Sequence, residues 1–404
     1  MTDWIPTRNA AMQRLTAFLP AAAGDYRKMR NHDLGPGRHG HVSRLSPWIR
    51  RRLVSEEEVV AAVTALHGLP RAEKFVQEVL WRTYWKGWLE QRPAVWTDYQ
   101  RDLAELRSAA SLDLADAEAG RTGIEPFDAW ARELVETGYV HNHARMWFAS
   151  IWIFTLKLPW QLGADFFFRH LLDGDPAANT LSWRWVAGLH TRGKTYLARP
   201  DNIARYTAGR FAPVTGLAGR AEPVFEDRDY PREAPPEVGR PAGADATGLL
   251  VTGEDLTPES AGLEGHRFVA VAAGFPSSLA ARNRLAPMVV EFATAAGRDA
   301  LARAAGHWTA PGTWLDGPGY ADAVVRWARG HDLERVVMHR PAVGPWRDLS
   351  QETANALASD GVSVAWFRRD WDDALYPLAR AGFFGFWKKA AQRLPSRQAP
   401  AASS

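Results

Sequence analysis

The chain has 404 residues, of which 46% are hydrophobic and 24% are charged, and its formal net charge is +3. This length exceeds what one hydrophobic core usually organises, so we expect two domains. Cysteine is absent, which excludes disulfides, thiolate metal sites, iron–sulfur clusters held by cysteine and cysteine nucleophiles. The sequence has neither an apolar run that could span a membrane nor a signal-peptide pattern at its start, so we expect a cytoplasmic protein with no membrane partner.

The charge balance and the tryptophan content leave the function open. The 49 basic residues are nearly balanced by 46 acidic ones, which permits a nucleic-acid partner without indicating one. The 19 tryptophans are an unusual number. Packing in the core accounts for most tryptophans in proteins, and the alternatives are stacking on nucleic-acid bases or on a planar cofactor, or electron relay.

Residues 1–211 are predicted to form a helical domain. Ser55 precedes Glu58 by three residues, the pattern of a capping box, and apolar residues follow at helical spacing. No alternating strand pattern interrupts this region. Further helices are predicted over 73–90, 126–136, 141–158 and 162–172.

The remainder of the chain has a different character. Residues 212–246 are rich in proline, glycine and charge and predict a surface linker. Residues 247–390 alternate short apolar runs with helical segments, which is typical of a parallel α/β sheet, and residues 391–404 are predicted to be disordered. The predicted strands lie at 249–252, 268–272, 336–338 and 362–366, with helices at 277–296 and 320–331. Since the α/β part carries neither a P-loop nor a GxGxxG pattern, a tightly bound cofactor would have to be held by the helical part.

Five segments of the helical part, in order, resemble the FAD-binding domain of the cryptochrome/photolyase family. They are GDYRKMRN, HVSRLSPWI, FVQEVLWRTYW, TGIEPFDAWARELVETGYVHNHARMWFAS and LLDGDPAANTLSWRWVAG. The resemblance extends from residue 24 to about residue 205 and implies FAD as the cofactor. With the α/β pattern, it predicts an all-α FAD-binding domain followed by an α/β parallel-sheet (Rossmann-like) domain.

The resemblance also implies which residues hold FAD. The hydroxyl groups of Tyr26, Ser43 and Ser46 and the backbone amide of Leu45 suit a pyrophosphate near a helix start, although the two serines could merely cap a turn. Val42 stands where the family has threonine, so one phosphate hydroxyl is lost. The other implied FAD-binding residues are Phe75, Arg145, Asp173, Asp175, Ala178 and Asn179.

Three of these residues have specific roles by resemblance. Asp173 is expected to pair with Arg145 beside the flavin ring, Asp175 to face the polar edge of the ring, and Asn179 to face flavin N5. A buried carboxylate needs such a cationic partner. Taken alone, the DGD pattern around Gly174 also fits a turn between two helices.

The family's substrate pocket can be compared position by position. Glu78 matches the residue that hydrogen-bonds the bases of a cyclobutane pyrimidine dimer flipped out of DNA, and His143 replaces an arginine that contacts phosphate. For its two tryptophans, Trp81 and Trp185, packing in the protein core is the alternative interpretation. The implied lining residues are the tryptophans Trp81 and Trp185, with Asn142 and Met146, and the implied DNA-contacting residues are Arg30 and Arg82.

The resemblance implies light-driven splitting of such dimers by electron transfer from reduced FAD, with UV-damaged DNA as the partner. Trp183 and Trp160 match the two inner members of the family's tryptophan chain. The outer member is missing, because its position falls near Arg107. Trp96, Trp147 and Trp152 are other candidates for it.

Two questions remain open at this point. Family members carry an α/β antenna domain before the flavin domain, so residues 247–390 are either a circularly permuted antenna domain or an unrelated α/β domain. An antenna pigment, a folate or a deazaflavin, is not identified by any residue. The alternatives to a repair enzyme are a photosensory flavoprotein with a protein partner and a relic that binds FAD without a light function. We expect a monomer and no metal site.

Overall fold

The structure is a computed structural model that describes residues 4–108, 112–239, 241, 246–315, 317 and 319–394. Its first half is helical. Two short helices of other types lie among the α-helices, a 3-10 helix at Leu19–Ala21 and a π-helix at Ile151–Thr155. The α-helices of this half are α1 (Arg8–Phe18), α2 (Gly24–Met29), α3 (Ser46–Arg50), α4 (Glu56–His67), α5 (Leu69–Glu90), α6 (Ala94–Ser108), α7 (Leu112–Glu118), α8 (Glu125–Thr137), α9 (Asn142–Ser150), α10 (Trp160–His170), α11 (Pro176–Val186) and α12 (Pro200–Tyr206).

Local sequence explains where several of these helices begin. The capping box before α4 is present, with the Ser55 hydroxyl accepting from the Glu58 amide and the Glu58 carboxylate accepting from the Ser55 amide. Asp175 caps α11 by accepting from the Ala178 amide at 2.8 Å. The side chain of Asp175 therefore has one oxygen committed to the helix and one free to face its surroundings.

The long helix predicted over 141–158 is shorter in the structure. The α-helical part ends at Ser150 and continues as a π-helix, in which the Leu156 amide bonds to the Ile151 carbonyl at 2.9 Å. Lys157 then takes a positive φ of 54°, and Pro159 precedes the next helix. A widened turn followed by a left-handed residue ends the helix here.

The second half is an α/β sheet of five parallel strands in the order β3-β2-β1-β4-β5. Leu249 lies opposite both Val271 and Val337, which places β1 at the centre. The strands are β1 (Thr247–Val251), β2 (Ala270–Gly274), β3 (Gly312–Leu315), β4 (Arg335–His339) and β5 (Ser363–Phe367), and the helices are α13 (Ser277–Arg282), α14 (Pro287–Trp308), α15 (Tyr320–Gly330), α16 (Pro345–Ser359), α17 (Asp370–Leu375) and α18 (Phe383–Ala390), with 3-10 helices at Pro258–Ser260 and Tyr376–Leu378. This confirms the predicted fold class.

Two predictions for this half need correction. The helix expected over 277–296 is two helices, because Arg284 adopts a φ of 50° and Pro287 starts a new helix at its first turn. Strand β3 was not predicted. Its four residues, GTWL, lack the apolar run that identifies the other strands.

The two halves share one core on one face of the sheet. Leu249, Val271 and Val337 belong to the same buried cluster as the helical half, whereas their neighbour Leu250 faces a separate cluster under α15 and α16. Helix α14 lies between the sheet and the helices, and the ring centroid of its Phe292 is 6.5 Å from that of Trp48. The alternation of side chains along each strand thus gives the sheet one face for the helical half.

The segment between the halves lies along the helices. The described residues 212–239 contain neither helix nor strand. Arg184 holds Glu226 through two bonds of 3.0 and 2.6 Å, and Arg228 holds Asp102 in the same way at 2.6 and 3.0 Å. Residues 240 and 242–245 of the predicted linker and 395–404 of the predicted tail lie outside the described residues. None of the helices in the described ranges is long and apolar enough to cross a membrane.

Candidate functional site

The turn between α10 and α11 presents two buried carboxylates on either side of Gly174. Only glycine fits there, since a Cβ would lie 2.9 Å from the Phe168 carbonyl oxygen. Arg145 of α9 holds Asp173 through two bonds, Nη1 to Oδ1 at 3.0 Å and Nη2 to Oδ2 at 2.9 Å, and its Nε donates to the Val140 carbonyl. Burial disfavours the charged form of Asp173, but Arg145 outweighs it and holds the pKa of that carboxyl below its usual value.

Asp175 lies inside a group of cations. Its Oδ2 atom is 3.4 Å from Lys86 Nζ, 3.6 Å from Arg82 Nη1 and 3.7 Å from Arg50 Nε. Burial opposes ionisation, but these cations, Lys86 foremost, hold the pKa of Asp175 well below its usual range. Asp175 is therefore an anion in the folded protein.

The cation group continues into the α/β half. Glu254, in the loop after β1, accepts from Arg50 Nη2 at 2.7 Å and from Lys86 Nζ at 3.4 Å. Arg50 also donates from Nε to the Gly174 carbonyl at 2.7 Å. All of these side chains are at most 5% exposed. We call Asp175, Glu254, Arg50 and Lys86 the interdomain charge cluster, because it joins the DGD turn to the sheet.

The predicted phosphate loop lies against the same turn. The Ser46 hydroxyl contacts Asp173, and the Leu45 amide points at the Ser43 hydroxyl, 3.4 Å away. Arg14 fixes the loop by donating from Nε to the Ser43 carbonyl at 2.7 Å. Ser43 and Ser46 are half-buried, whereas Leu45 is fully buried. The backbone of this loop is thus held in place independently of its hydroxyl groups.

Tyr26 of α2 and Phe75 of α5 pack together. Their ring centroids are 5.0 Å apart with the rings at 81°. Both are buried, and burial is the main reason that the pKa of Tyr26 lies well above its usual value. Tyr26 is therefore a neutral hydroxyl that can donate a hydrogen bond.

Glu78 and Arg30 form a half-buried ion pair in this region. Their side chains are 27% and 30% exposed. Burial raises the pKa of Glu78, and Arg30 offsets only part of that effect. The pair connects α2 to the middle of α5, one turn before Trp81.

Trp81 is stacked by a residue from the far end of the chain. Phe383 of α18 lies parallel to it, with centroids 3.8 Å apart and 9° between the planes. Neighbouring Tyr84 donates from its hydroxyl to the Ala381 carbonyl at 2.6 Å. One face of the predicted pocket wall is therefore covered by Phe383. The sequence held no signal for this contact, since the resemblance ends near residue 205.

The remaining predicted lining residues lie on α9 and α11. Tyr196 connects the two helices, with its hydroxyl 3.3 Å from His143 Nε2 and its ring centroid 5.7 Å from that of Trp185. Trp185 and Met146 are half-buried and Asn142 is exposed. Burial lowers the pKa of His143 to about 4, so this residue is neutral at pH 7 where the family has a cation.

The two predicted relay tryptophans are buried; Trp160 is the first residue of α10, and Trp183 lies on the neighbouring α11. The Trp183 ring lies against Gly163, where a Cβ would be 2.3 Å from it, and Asn179 donates to the Ala164 carbonyl at 2.7 Å. Trp160 stacks on Tyr99, with centroids 5.5 Å apart and 24° between the planes. Tyr99 was not predicted. It lies on α6, eight residues before Arg107, where the sequence lacks the third tryptophan.

The polar atoms of this region fit FAD. Among the described residues, Asp175 Oδ2 and Arg82 Nη1 are buried without any hydrogen-bond partner. Buried polar atoms rarely stay unpaired, and these two lie beside the DGD turn, where the polar edge of a flavin could supply both a donor and an acceptor. Arg145, 21% exposed, presents a fixed cation next to them.

The helical part of the chain is similar to known proteins. Residues 75–209 match the family model described as the FAD binding domain of DNA photolyase. The deoxyribodipyrimidine photo-lyase of Streptomyces griseus is 34% identical over 222 residues, which are 52% of this chain and 47% of that protein. A protein of the same name from Thermus thermophilus is 34% identical over 197 residues, 47% of this chain and 45% of its own. Residues 75–209 are thus similar to the FAD-binding domain of DNA photolyase.

Two solved structures are also similar over part of the chain. A bacterial class III photolyase from Agrobacterium tumefaciens has 27% identity and a TM-score of 0.43, covering 52% of this chain and 44% of that one. A cryptochrome from Synechocystis has 23% identity and a TM-score of 0.42, covering 50% and 43%. The chain spans about half the length of the curated relatives it matches.

Proposed function

We propose that this protein is a light-driven flavoprotein that splits cyclobutane pyrimidine dimers in UV-damaged DNA. The observation that carries the proposal is the two-bond Arg145–Asp173 pair next to Asp175, whose Oδ2 lies among three cations but accepts no hydrogen bond, in a region that matches the FAD binding domain of DNA photolyase. The relatives named deoxyribodipyrimidine photo-lyase support the reaction class.

In this proposal the helical part holds FAD through residues from helices α2, α5, α9 and α11, from the α10–α11 turn and from the loop at 43–46. Arg145 and Asp173 fix one side of the ring, and a cation held in this way favours a negative charge on the ring. Asp175 faces its polar edge and Asn179 faces flavin N5, while Ala178, Tyr26, Phe75 and the loop at 43–46 hold the remainder. Bound FAD would supply light absorption and the electron that splits the dimer, as cofactors supply such chemistry generally.

Glu78 would act on the substrate. Because burial raises its pKa, Glu78 takes up a proton more readily than an ordinary carboxyl and can then donate a hydrogen bond to a base carbonyl. A hydrogen bond that strengthens as charge builds on the dimer accelerates the splitting step. Arg30, its partner, remains available to a phosphate.

The other substrate assignments divide into two groups. Trp185, Asn142 and Met146 line the α9–α11 side and would contact the flipped dimer. Arg82 is directed at Asp175 and is 14% exposed, so we assign it to the polar edge of the cofactor before DNA. One face of Trp81 is covered by Phe383, so Trp81 would support the wall of the pocket.

Trp183 and Trp160 would carry electrons toward the cofactor from the direction of α6. We propose Tyr99 as the next aromatic side chain, since it stacks on Trp160.

We also propose that residues 1–211 form one domain, with 212–246 as the linker and 247–390 as a permuted antenna-like domain.

The test is dimer loss from a UV-irradiated oligonucleotide under blue light, with FAD chemically reduced and a dark control. We expect light-dependent loss, and Glu78→Ala should slow that loss by about 100-fold, the low end of what one hydrogen-bond donor to a developing charge contributes. Glu352→Ala, on the exposed side of α16, serves as the matched control. Binding of FAD without light-dependent dimer loss would instead favour the photosensory alternative, for which neutral His143 and the covered Trp81 are the supporting observations.

A further inference from the structure

Helix α18 has an inner and an outer face. Phe383, Phe386 and Ala390 are buried at the spacing of one helical face. The outer face carries Phe384, which is 73% exposed, and two exposed lysines, Lys388 and Lys389. Phe384 is one of few large apolar side chains so exposed in the described part of the chain.

The inner face fixes α18 to the helical half. Phe383 stacks on Trp81, and Phe386 packs on Tyr84 with centroids 5.5 Å apart. The Tyr84 hydroxyl donates to the Ala381 carbonyl, two residues before the helix begins. Displacing α18 would expose two phenylalanines to water, so the helix is a fixed part of this surface.

The outer face is basic. Residues 380–394 contain four basic side chains and no acidic one. Among the ion pairs formed by described residues, none involves Lys388 or Lys389. The four basic residues are Arg380, Lys388, Lys389 and Arg393. A positively charged face with an exposed aromatic ring suits a strand of nucleic acid, whose phosphates meet the cations while a base stacks on the ring.

We propose that α18 forms part of the DNA-binding surface, with Phe384 packing on a nucleotide next to the lesion and Lys388 and Lys389 contacting phosphates. The proposal rests on the proposed function, because it takes the same DNA as its occupant. The position of α18 next to the predicted substrate-binding residues supports the proposal. Phe384 follows Phe383 in the chain, Phe383 stacks on Trp81, and Trp81 lies one turn after Glu78 on α5.

The first test measures binding of an undamaged DNA duplex to the FAD-loaded full chain at several salt concentrations. Each lost phosphate contact lowers the slope of log affinity against log salt by about 0.9. The double variant Lys388→Gln/Lys389→Gln should therefore lower the slope by about 1.8. The matched control, Arg282→Gln/Arg326→Gln, removes the same charge from α13 and α15 and should leave it unchanged. Equal slopes for the two double variants would overturn the proposal.

The second test separates stacking from charge. Phe384→Ala should weaken binding of a duplex that carries a cyclobutane pyrimidine dimer about fivefold or more, the low end of what a stacked base contributes, without changing the salt slope. Unchanged affinity would count against the proposal. The proposal would also be contradicted if Phe384→Ala bound DNA normally but bound vesicles of anionic phospholipid less well, because the face would then serve a membrane surface.

The outcomes also separate this proposal from the proposed function. A protein that splits dimers, but whose DNA affinity does not depend on α18, retains the proposed function and overturns the α18 assignment. A protein whose DNA affinity falls in these variants, but which splits no dimers, supports α18 as a DNA-binding element and overturns the proposed function.

Discussion

Replacing Glu254 by glutamine tests the interdomain charge cluster. The side chain is 5% exposed and faces two cations, Arg50 at 2.7 Å and Lys86 at 3.4 Å. Glutamine keeps the size and can still accept a hydrogen bond, but it removes the charge that compensates these cations. The substitution therefore isolates the electrostatic contribution of one carboxylate to the contact between the two halves.

The structure sets the magnitude. Removing one partner of a buried ion pair costs about 3–5 kcal/mol. Arg50 retains the Gly174 carbonyl and Lys86 retains Asp175, so we expect the lower end, about 3 kcal/mol. For a chain of this length unfolding as one unit, that corresponds to a fall in Tm of roughly 3–4 °C.

Denaturant unfolding followed by tryptophan fluorescence measures the change. The control is Glu352→Gln, whose carboxylate lies 3.9 Å from Arg282 with both side chains more than half exposed. Exposed pairs contribute about 0–1 kcal/mol. If Glu254→Gln lost no more stability than the control, the cluster would not hold the halves together, and the reasoning from burial would be wrong.

Three further predictions concern the cofactor and pH. Arg145→Met should leave Asp173 buried without its cation and weaken FAD binding on the order of 100-fold; full flavin absorbance in the purified variant would contradict this. Trp183→Phe should slow photoreduction of the oxidised flavin far more than it slows dimer splitting by chemically reduced protein, and equal losses would refute the relay assignment. Asp173, Asp175 and Glu254 all have lowered pKa values, so the stability they confer is complete above about pH 5 and is lost as the pH falls below about 4; a Tm that stays flat from about pH 6 to about pH 3 would exclude this contribution.

Much of the fold follows from local sequence. Five helices of the first half, which correspond to α4, α5, α8, α9 and α10, and four of the five strands were predicted, because capping residues, helical spacing and short apolar runs are local signals. The DGD turn and the Arg145–Asp173 pair were predictable only through the resemblance. Taken alone, two aspartates around a glycine fit an ordinary turn between helices.

The contacts that were missed all join distant parts of the chain. Glu254 approaches Lys86 across 168 positions, and Phe383 reaches Trp81 from beyond the sheet. Tyr99 stacks on Trp160 because α6 and α10 pack side by side. No periodicity reports such pairings. Their only trace in the sequence was the unusual number of tryptophans, 19 in all.

The stack of Phe383 on Trp81 has a consequence for synthesis. Ribosomes add about 5–20 residues per second, so Trp81 is made roughly 15–60 seconds before Phe383, which follows it by about 300 positions. During that interval Trp81 and Tyr84 have no cover on that side of α5. The nascent helical half therefore exposes an aromatic surface that chaperones or a neighbouring nascent chain can bind until α18 has been synthesised and can cover it.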